Sequence, residues 1–453
     1  MSMGKAKPRQ MDLFVAAADL QAPGHPFYDR LNKALEKHGF DDKVEALCAE
    51  LYAGDGAGRP SIPPGQYFRM LMVGYFEGIA SERGIAWRCA DSLSLKTFLG
   101  LGPADATPHH SALSRIRRRL TKDVFTAYDR LILGILKASG LVKGDSLAMD
   151  STTVAANASM ASIVRKDTRE GYADFVKRLA AEAGETVTNK EEIARFDRKR
   201  EDRKTTNAEW ESPTDPDARV ARMKDGRTKM AYKAEHVVDA DTGVIVASAL
   251  HAADRSDHAT ATDTIVAADA NLKAIGLTTV GTTLLADKGY CSEAFIAGCA
   301  VAEIKTCIAE PKQRGRRRWK GKEPLVKRSC GANHRRVRSD YGRAPMKRRG
   351  ATVELSFQHV YERGGQRQTY LRGHENNEKR NLIAVAAHNL GVLMRKLVGA
   401  GCPKACATVL SALQAILGAL RGVISRSEAP HDGRSTVFSE FRNDGNGLLR
   451  RRP

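Results

Sequence analysis

The chain has 453 residues, enough for two to four domains or one large domain with additions, and its 42% hydrophobic content supplies a core, excluding wholesale disorder and fibrous repeats. Seventy-three Lys and Arg against 53 Asp and Glu give a net charge of +20 and a pI near 9.7, which favours nucleic acid as a partner before an anionic membrane surface. The long uncharged stretch near the C-terminus, Ala405 to Leu420, contains Ser411 and Gln414, lies between Lys404 and Arg421, and falls short of the ~20 apolar residues of a spanning helix, so no membrane partner is expected.

The opening MSMGKAKPRQMDLF has basic residues but no signal-like apolar run. Gly65 to Ile79 places Phe68, Leu71, Met72, Tyr75, Phe76 and Ile79 at three- and four-residue spacing, the pattern of an amphipathic helix. Shorter helices are predicted over Ser81–Ala90 and Ser92–Leu99, and Thr107-Pro108 reads as N-cap and first turn of a helix carrying Arg115, Arg117 and Arg118. Several short helices ending in a basic one suggest a helix-turn-helix-like unit, with those three arginines on DNA; a helical bundle with a solvated basic face is the alternative.

The period then changes. Ser146–Val154, Tyr232–Val238, Val244–Leu250 and Thr282–Ala286 are β-branched or apolar and read as strands, and Asp239–Gly243 supplies a hairpin turn. Val164 to Trp210 reads as an inserted charged helical region, and Ala259–Ile275 as a helix, which together with the strands predicts an α/β core. From Pro311 to Gly350 sixteen Lys and Arg face only Glu323 and Asp340. So one-sided a run needs a polyanion, and Arg316, Arg317, Arg318, Arg348 and Arg349 in it are candidate DNA contacts. Helices are predicted over Val353–Tyr361 and Glu375–Val398, the second with a core stripe of Leu382, Ala386, Leu390, Leu393 and Leu397, and the last residues, from about Ser425, read as a loose tail.

Eight cysteines show no CxxC pair, only Cys402 and Cys406 four apart, so neither disulfides nor structural zinc is expected and the compartment reads as cytoplasmic. His109, His110, His236, His251 and His258 lack zinc spacing and read as surface or core residues. There is no G-x-S-x-G elbow and no phosphate-binding G-x-x-x-x-G-K-[ST] loop.

Three acids stand out. Asp150 interrupts an apolar strand, Asp287 follows LLA where a strand ends, and Glu354 opens an apolar helix after the basic run. Singly, each has a structural reading as strand acid, turn former or helix-dipole partner. Together, they supply the carboxylate oxygens that hard divalent cations need and that phosphodiester chemistry uses.

On these blocks the chain resembles the DDE-type transposases of bacterial insertion sequences, in the insertion sequence four/five superfamily. GRPSIPPGQYFRMLMVGYFEGIASERGIAWRCADSLSLKTFLGL and TPHHSALSRIRRRL are similar to that family's helical DNA-binding module, and AMDSTTVAANASM and LLADKGYCS to the blocks carrying its two catalytic Asp. RRGATVELSFQHVYERGGQRQTYLRGHENNEKRNLIAVAAHNLGVLMR resembles its C-terminal block, whose Glu maps onto Glu354. The resemblance implies an RNase H-like mixed-sheet core, an α/β fold, behind a helical N-terminal DNA-binding domain. It implies Asp150, Asp287 and Glu354 as catalytic residues holding Mg²⁺ (Mn²⁺ as substitute), and double-stranded DNA as partner, cut at element ends and joined to a target. It further implies a homodimer or higher oligomer at synapsis, with Arg372, Lys379 and Arg380 as phosphate contacts. The family's Glu is usually followed by a basic residue, here Leu355, and some relatives carry Arg four residues before it, here Gly350. The expected division is 1–140 helical DNA-binding, 141–400 catalytic with an insertion at about 160–225 and the basic stretch 311–350, then 401–453 as a C-terminal helix and tail. A nuclease without joining and an inactive DNA-binding regulator are the rival readings.

Overall fold

The computed structural model describes residues 24–52, 61–201, 206–223, 225–312 and 319–408; Arg316, Arg317, Arg318 and the tail from 409 onward lie outside the described residues. The chain divides into two units after Cys406, and the elements below belong to the first.

Among the described residues seven α-helices come first: α1 (Pro26–Lys37), α2 (Phe40–Cys48), α3 (Pro64–Phe76), α4 (Glu82–Ala90), α5 (Leu93–Phe98), α6 (His110–Arg119) and α7 (Lys122–Ala138). The apolar spacing of α3 buries it almost all round, and its Phe68 stacks on Tyr128 of α7 with ring centroids 4.2 Å apart. Ser81 and Ser92 cap α4 and α5 by accepting from the Gly84 and Leu95 N–H groups. The helix expected from Thr107-Pro108 starts later. His109 is extended there, and its ring Nδ1, not the Thr hydroxyl, accepts the Ser111 N–H.

The sheet follows: β1 (Ser146–Ala155), β2 (Val164–Arg165), α8 (Tyr172–Glu182), α9 (Lys190–Lys199), β3 (Trp210–Glu211), β4 (Arg219–Arg222), β5 (Thr228–Asp239), β6 (Ile245–Ala252), α10 (Asp257–Ala274), β7 (Thr283–Ala286), α11 (Glu293–Val301), β8 (Lys305–Ile308), α12 (Pro324–Arg338), α13 (Asp340–Phe357) and α14 (His374–Val398). Strand order is β6-β5-β1-β7-β8, with β4 pairing the first residues of β5 on the edge that β6 occupies farther along. The β6-β5-β1 pairs are antiparallel, whereas β1-β7 and β7-β8 are parallel. This is the α/β, RNase H-like arrangement: parallel strands buried on both faces, which explains why β7 reads as an unbroken apolar run. At the β5–β6 turn, Asp239 Oδ1 accepts the N–H groups of Asp241 and Thr242.

Four expectations change. The basic run is largely helical: α12 forms within it, its Asn333 amide clasping both backbone groups of Ile308 at 2.8 and 3.0 Å. The helix expected at Val353–Tyr361 begins at Asp340 and gives way to a π-helical turn, Gln358–Arg363. The insertion, expected as a charged helical region, also carries the β2–β3 pair and its own small core, with Trp210 buried against Tyr172 and Phe175 (centroids 5.2 and 5.3 Å). Leu397 is exposed, while α14 is buried over nearly its whole circumference from Asn377 to Met394, far wider than one stripe. The helical stretch His374–Thr408 is long and apolar enough by composition to span a membrane, and 72% of its most apolar window is buried inside the protein.

Candidate active site

Register brings the two aspartates together. Parallel pairing sets Ala148 opposite Leu285, so two residues farther on Asp150 stands beside Asp287, just past the carboxyl end of β7. Open α/β sheets expose ligand-binding groups at that edge. Asp150 Oδ1 accepts the Ser151 N–H at 2.8 Å, and Asp287 Oδ1 accepts the Gly289 N–H at 2.8 Å. Burial raises the Asp150 carboxyl above its usual range; the Ser151 N–H and the Arg349 charge pull it down, and the charge of Asp287 pushes it up again. A half-buried acid beside a second acid calls for a cation. The Arg349 guanidinium of α13 answers in part, 3.3 Å from Asp150 Oδ2, and its Nε is buried without a partner.

Helix α13 lies over this edge. Asp150 pairs across the sheet with His236, whose Nδ1 meets Ser356 Oγ at 3.0 Å and whose ring packs on Phe357 at 4.5 Å. Burial, with the nearby His388, depresses His236 to about 3, so it is a neutral core histidine that pins α13 to β5. The sheet-facing side of α13 is therefore Arg349, Val353 and Ser356. Glu354, one position past Val353, is exposed and has no hydrogen bond or ion pair among the described residues. Among those residues no three His, Cys, Asp or Glu side chains lie close enough to share one ion. Asp150 and Asp287 are thus brought together, while Glu354 lies on the exposed side of the covering helix.

The chemistry of the pair fits a hard divalent cation: oxygen donors only, in register, with a charge that the protein half-neutralises. Gly289 adds a cradle, because a Cβ there would lie 3.1 Å from Asp287 Oδ1 and 2.6 Å from Asp257 Oδ2.

The basic candidates separate into two groups. Arg115, Arg118, Arg348 and Arg372 are exposed. Arg117 is paired with Glu82. Lys379 is 4% exposed and pairs with Glu375 at 2.7 Å, and Arg380 donates to the carbonyls of Gln368 and Gly365 at 3.2 Å each. Burial lowers Arg380 to about 10. Sequence reasoning passed over two features. Arg367, ion-paired with Glu362 at 2.5 Å, donates to Thr152 Oγ1 and the Thr153 carbonyl, each at 3.1 Å, on the Asp150 face. Lys233, Glu235 and Asp257 sit behind the sheet; two charges at alternate positions of one strand, Lys233 and Glu235, were the available signal.

The Transposase DDE domain family matches residues 147–390, more than half of the chain, and the Transposase domain (DUF772) family matches residues 15–119. No curated protein and no solved structure matches.

Proposed function

Because this chain belongs to the DDE-type insertion-sequence transposases, and is thus a DNA transposase, we propose that it cuts DNA at the inverted-repeat ends of its element and transfers the freed 3′-hydroxyl into target DNA. The observation that carries this reading is the in-register pair Asp150 and Asp287 at the carboxyl edge of the β1–β7 step, half-buried and engaged by a single guanidinium. Mg²⁺, or Mn²⁺ in its place, would be held by Asp150 and Asp287, with Glu354 as third carboxylate, and would stabilise the charge of attacking and leaving oxygens.

The remaining work belongs to the chain. Water attacks the scissile phosphorus and the 3′-oxygen leaves as a hydroxyl; that hydroxyl then attacks a target phosphodiester and displaces its own 3′-oxygen. Neither step needs a covalent protein intermediate, so positioning and charge neutralisation are the protein's share. Arg349 supplies positive charge on the Asp150 face. Exposed Arg115, Arg118, Arg348 and Arg372 are the proposed backbone contacts, and Arg316, Arg317 and Arg318 are proposed as contacts from their place in the basic run. In this reading Arg117, Lys379 and Arg380 hold the helices together. The helical segment up to α7 would recognise the ends, in a dimer or larger assembly.

The test is cleavage of a supercoiled plasmid carrying the element's ends, in Mg²⁺ or EDTA, for the parent chain and Asp287→Asn. Metal-dependent, end-specific cutting and joining that the substitution abolishes supports the proposal. Cutting without joining supports a nuclease, and tight binding without cutting supports a regulator.

A further inference from the structure

On the face of the sheet opposite α13, one carboxylate has no exposed surface at all: Glu235. Its Oε1 accepts from Tyr290 Oη at 2.8 Å and Thr260 Oγ1 at 3.1 Å, and its Oε2 accepts from Thr264 Oγ1 at 2.5 Å. Lys233 Nζ lies 4.0 Å away and His251 Nε2 3.6 Å. Burying charge this fully stabilises a fold little better than apolar residues of the same volume would. What distinguishes the network is where its two arms end.

One arm runs from Glu235 through Lys233, which donates to Thr260 Oγ1 at 2.7 Å and lies 3.3 Å from Asp257 Oδ1; that same oxygen accepts the Ser151 hydroxyl at 2.8 Å. Ser151 is the residue after Asp150, and its N–H is the one bonded to Asp150. The other arm is Tyr290, which closes the turn that begins at Asp287. Burial and the Glu235 charge push its phenol far above the usual range, so it remains a donor. The arms converge at Gly289, where a side chain would collide with Asp257 Oδ2 and crowd Asp287 Oδ1.

We propose that Glu235 is a positioning residue for the transposase site: through Lys233, Asp257 and Ser151 on one side and Tyr290 on the other, it fixes the spacing between the Asp150 and Asp287 carboxylates. This rests on the reading of those aspartates as the metal-holding pair. Groups that orient metal ligands typically change metal affinity by about 10–100-fold when removed.

The measurement is Mn²⁺ binding to the full-length chain, followed by the electron paramagnetic resonance of free Mn²⁺ and accompanied by a thermal melt. Tyr290→Phe removes only the hydroxyl that reaches Glu235. The expected result is a rise of about tenfold in the half-saturating Mn²⁺ concentration, with Tm within about 4 °C of the parent. Ser151→Ala, which breaks the other arm, gives a rise of the same sign, and it carries the comparison alone if Tyr290→Phe loses its cooperative melt. Parent-like Mn²⁺ binding in the folded variants overturns the positioning role. A parent chain that binds Mn²⁺ through Asp150 and Asp287 but cuts no DNA would instead overturn the transposase chemistry and leave the positioning role standing.

Discussion

The two faces of the β1–β5 pair carry acids of opposite character. Glu235, facing α10, is wholly buried and accepts three hydroxyl hydrogen bonds, with the Lys233 ammonium at 4.0 Å and the His251 ring nitrogen at 3.6 Å. Asp150, facing α13, is half-buried, receives one backbone N–H and one guanidinium, and stands next to a second carboxylate. A charge buried to hold other groups in place is given every partner it can take; a charge kept for chemistry is left short of them, ready for another cation.

The largest break in this contrast comes at the under-bonded face. Asp150→Asn or Asp287→Asn should lower cleavage of end DNA by about a thousandfold or more, several kcal/mol of transition-state stabilisation. DNA affinity in EDTA should stay near the parent value, as gel-shift titration would show. At the saturated face, Glu235→Ala removes the buried acceptor shared by Tyr290, Thr260 and Thr264 and one of the two carboxylates beside Lys233, itself only 5% exposed; Asp257, at 3.3 Å, remains. Removing one partner of a buried pair costs about 3–5 kcal/mol, which a shift in the denaturation midpoint would reveal.

A smaller effect tests the cation over Asp150. The Arg349 charge and hydrogen bond lower the Asp150 carboxyl, so Arg349→Gln should raise it further and move the acid limb of the pH–rate profile to higher pH. Asp129 sharpens the comparison from a third direction. It is buried in α7 with neither carboxylate oxygen bonded, and burial raises it to about 8 from 3.8. The native state then holds a proton that the unfolded chain has lost, so stability falls as pH rises from about 4 to 8. Asp129→Asn should flatten that fall in a series of thermal melts. The smallest change concerns DNA: Arg372→Glu should weaken binding and lower the slope of log affinity against log salt by roughly 0.9 if Arg372 meets one phosphate.

Legibility in the sequence followed the same division. Asp150 and Asp287 stood out because the first interrupts an apolar strand and the second follows one at its carboxyl end, and the apolar runs of β1, β5, β6 and β7 announced themselves by period. Helix α12 was hidden, because a run of sixteen bases and two acids obscures the spacing of Cys330 and Asn333 that docks it. Lys233 and Glu235 were invisible as a network, since alternating charges in a strand look solvent-facing until α10 is laid over them. Arg117 read as a DNA contact from its basic helix, and Lys379 and Arg380 from the resemblance. The structure pairs Arg117 with Glu82, 35 residues before it, and brings Lys379 to the Arg117 carbonyl, 262 residues away, contacts no local pattern encodes, whereas Glu375, four residues before Lys379, was a local signal. Glu354 illustrates the limit at a single residue: the spacing of α13 places Val353 inward, and one step of about 100° leaves its neighbour outside.

The most direct measurement maps the metal itself. With Fe²⁺ replacing Mg²⁺ on the full-length chain, ascorbate and peroxide generate hydroxyl radicals that cut the backbone beside the bound ion. Cuts clustered around residues 150 and 287, suppressed by excess Mg²⁺ and absent in Asp150→Asn, are the expected result. Cuts confined to other segments, or unchanged in Asp150→Asn, would contradict the assignment of these two aspartates as the heart of the site.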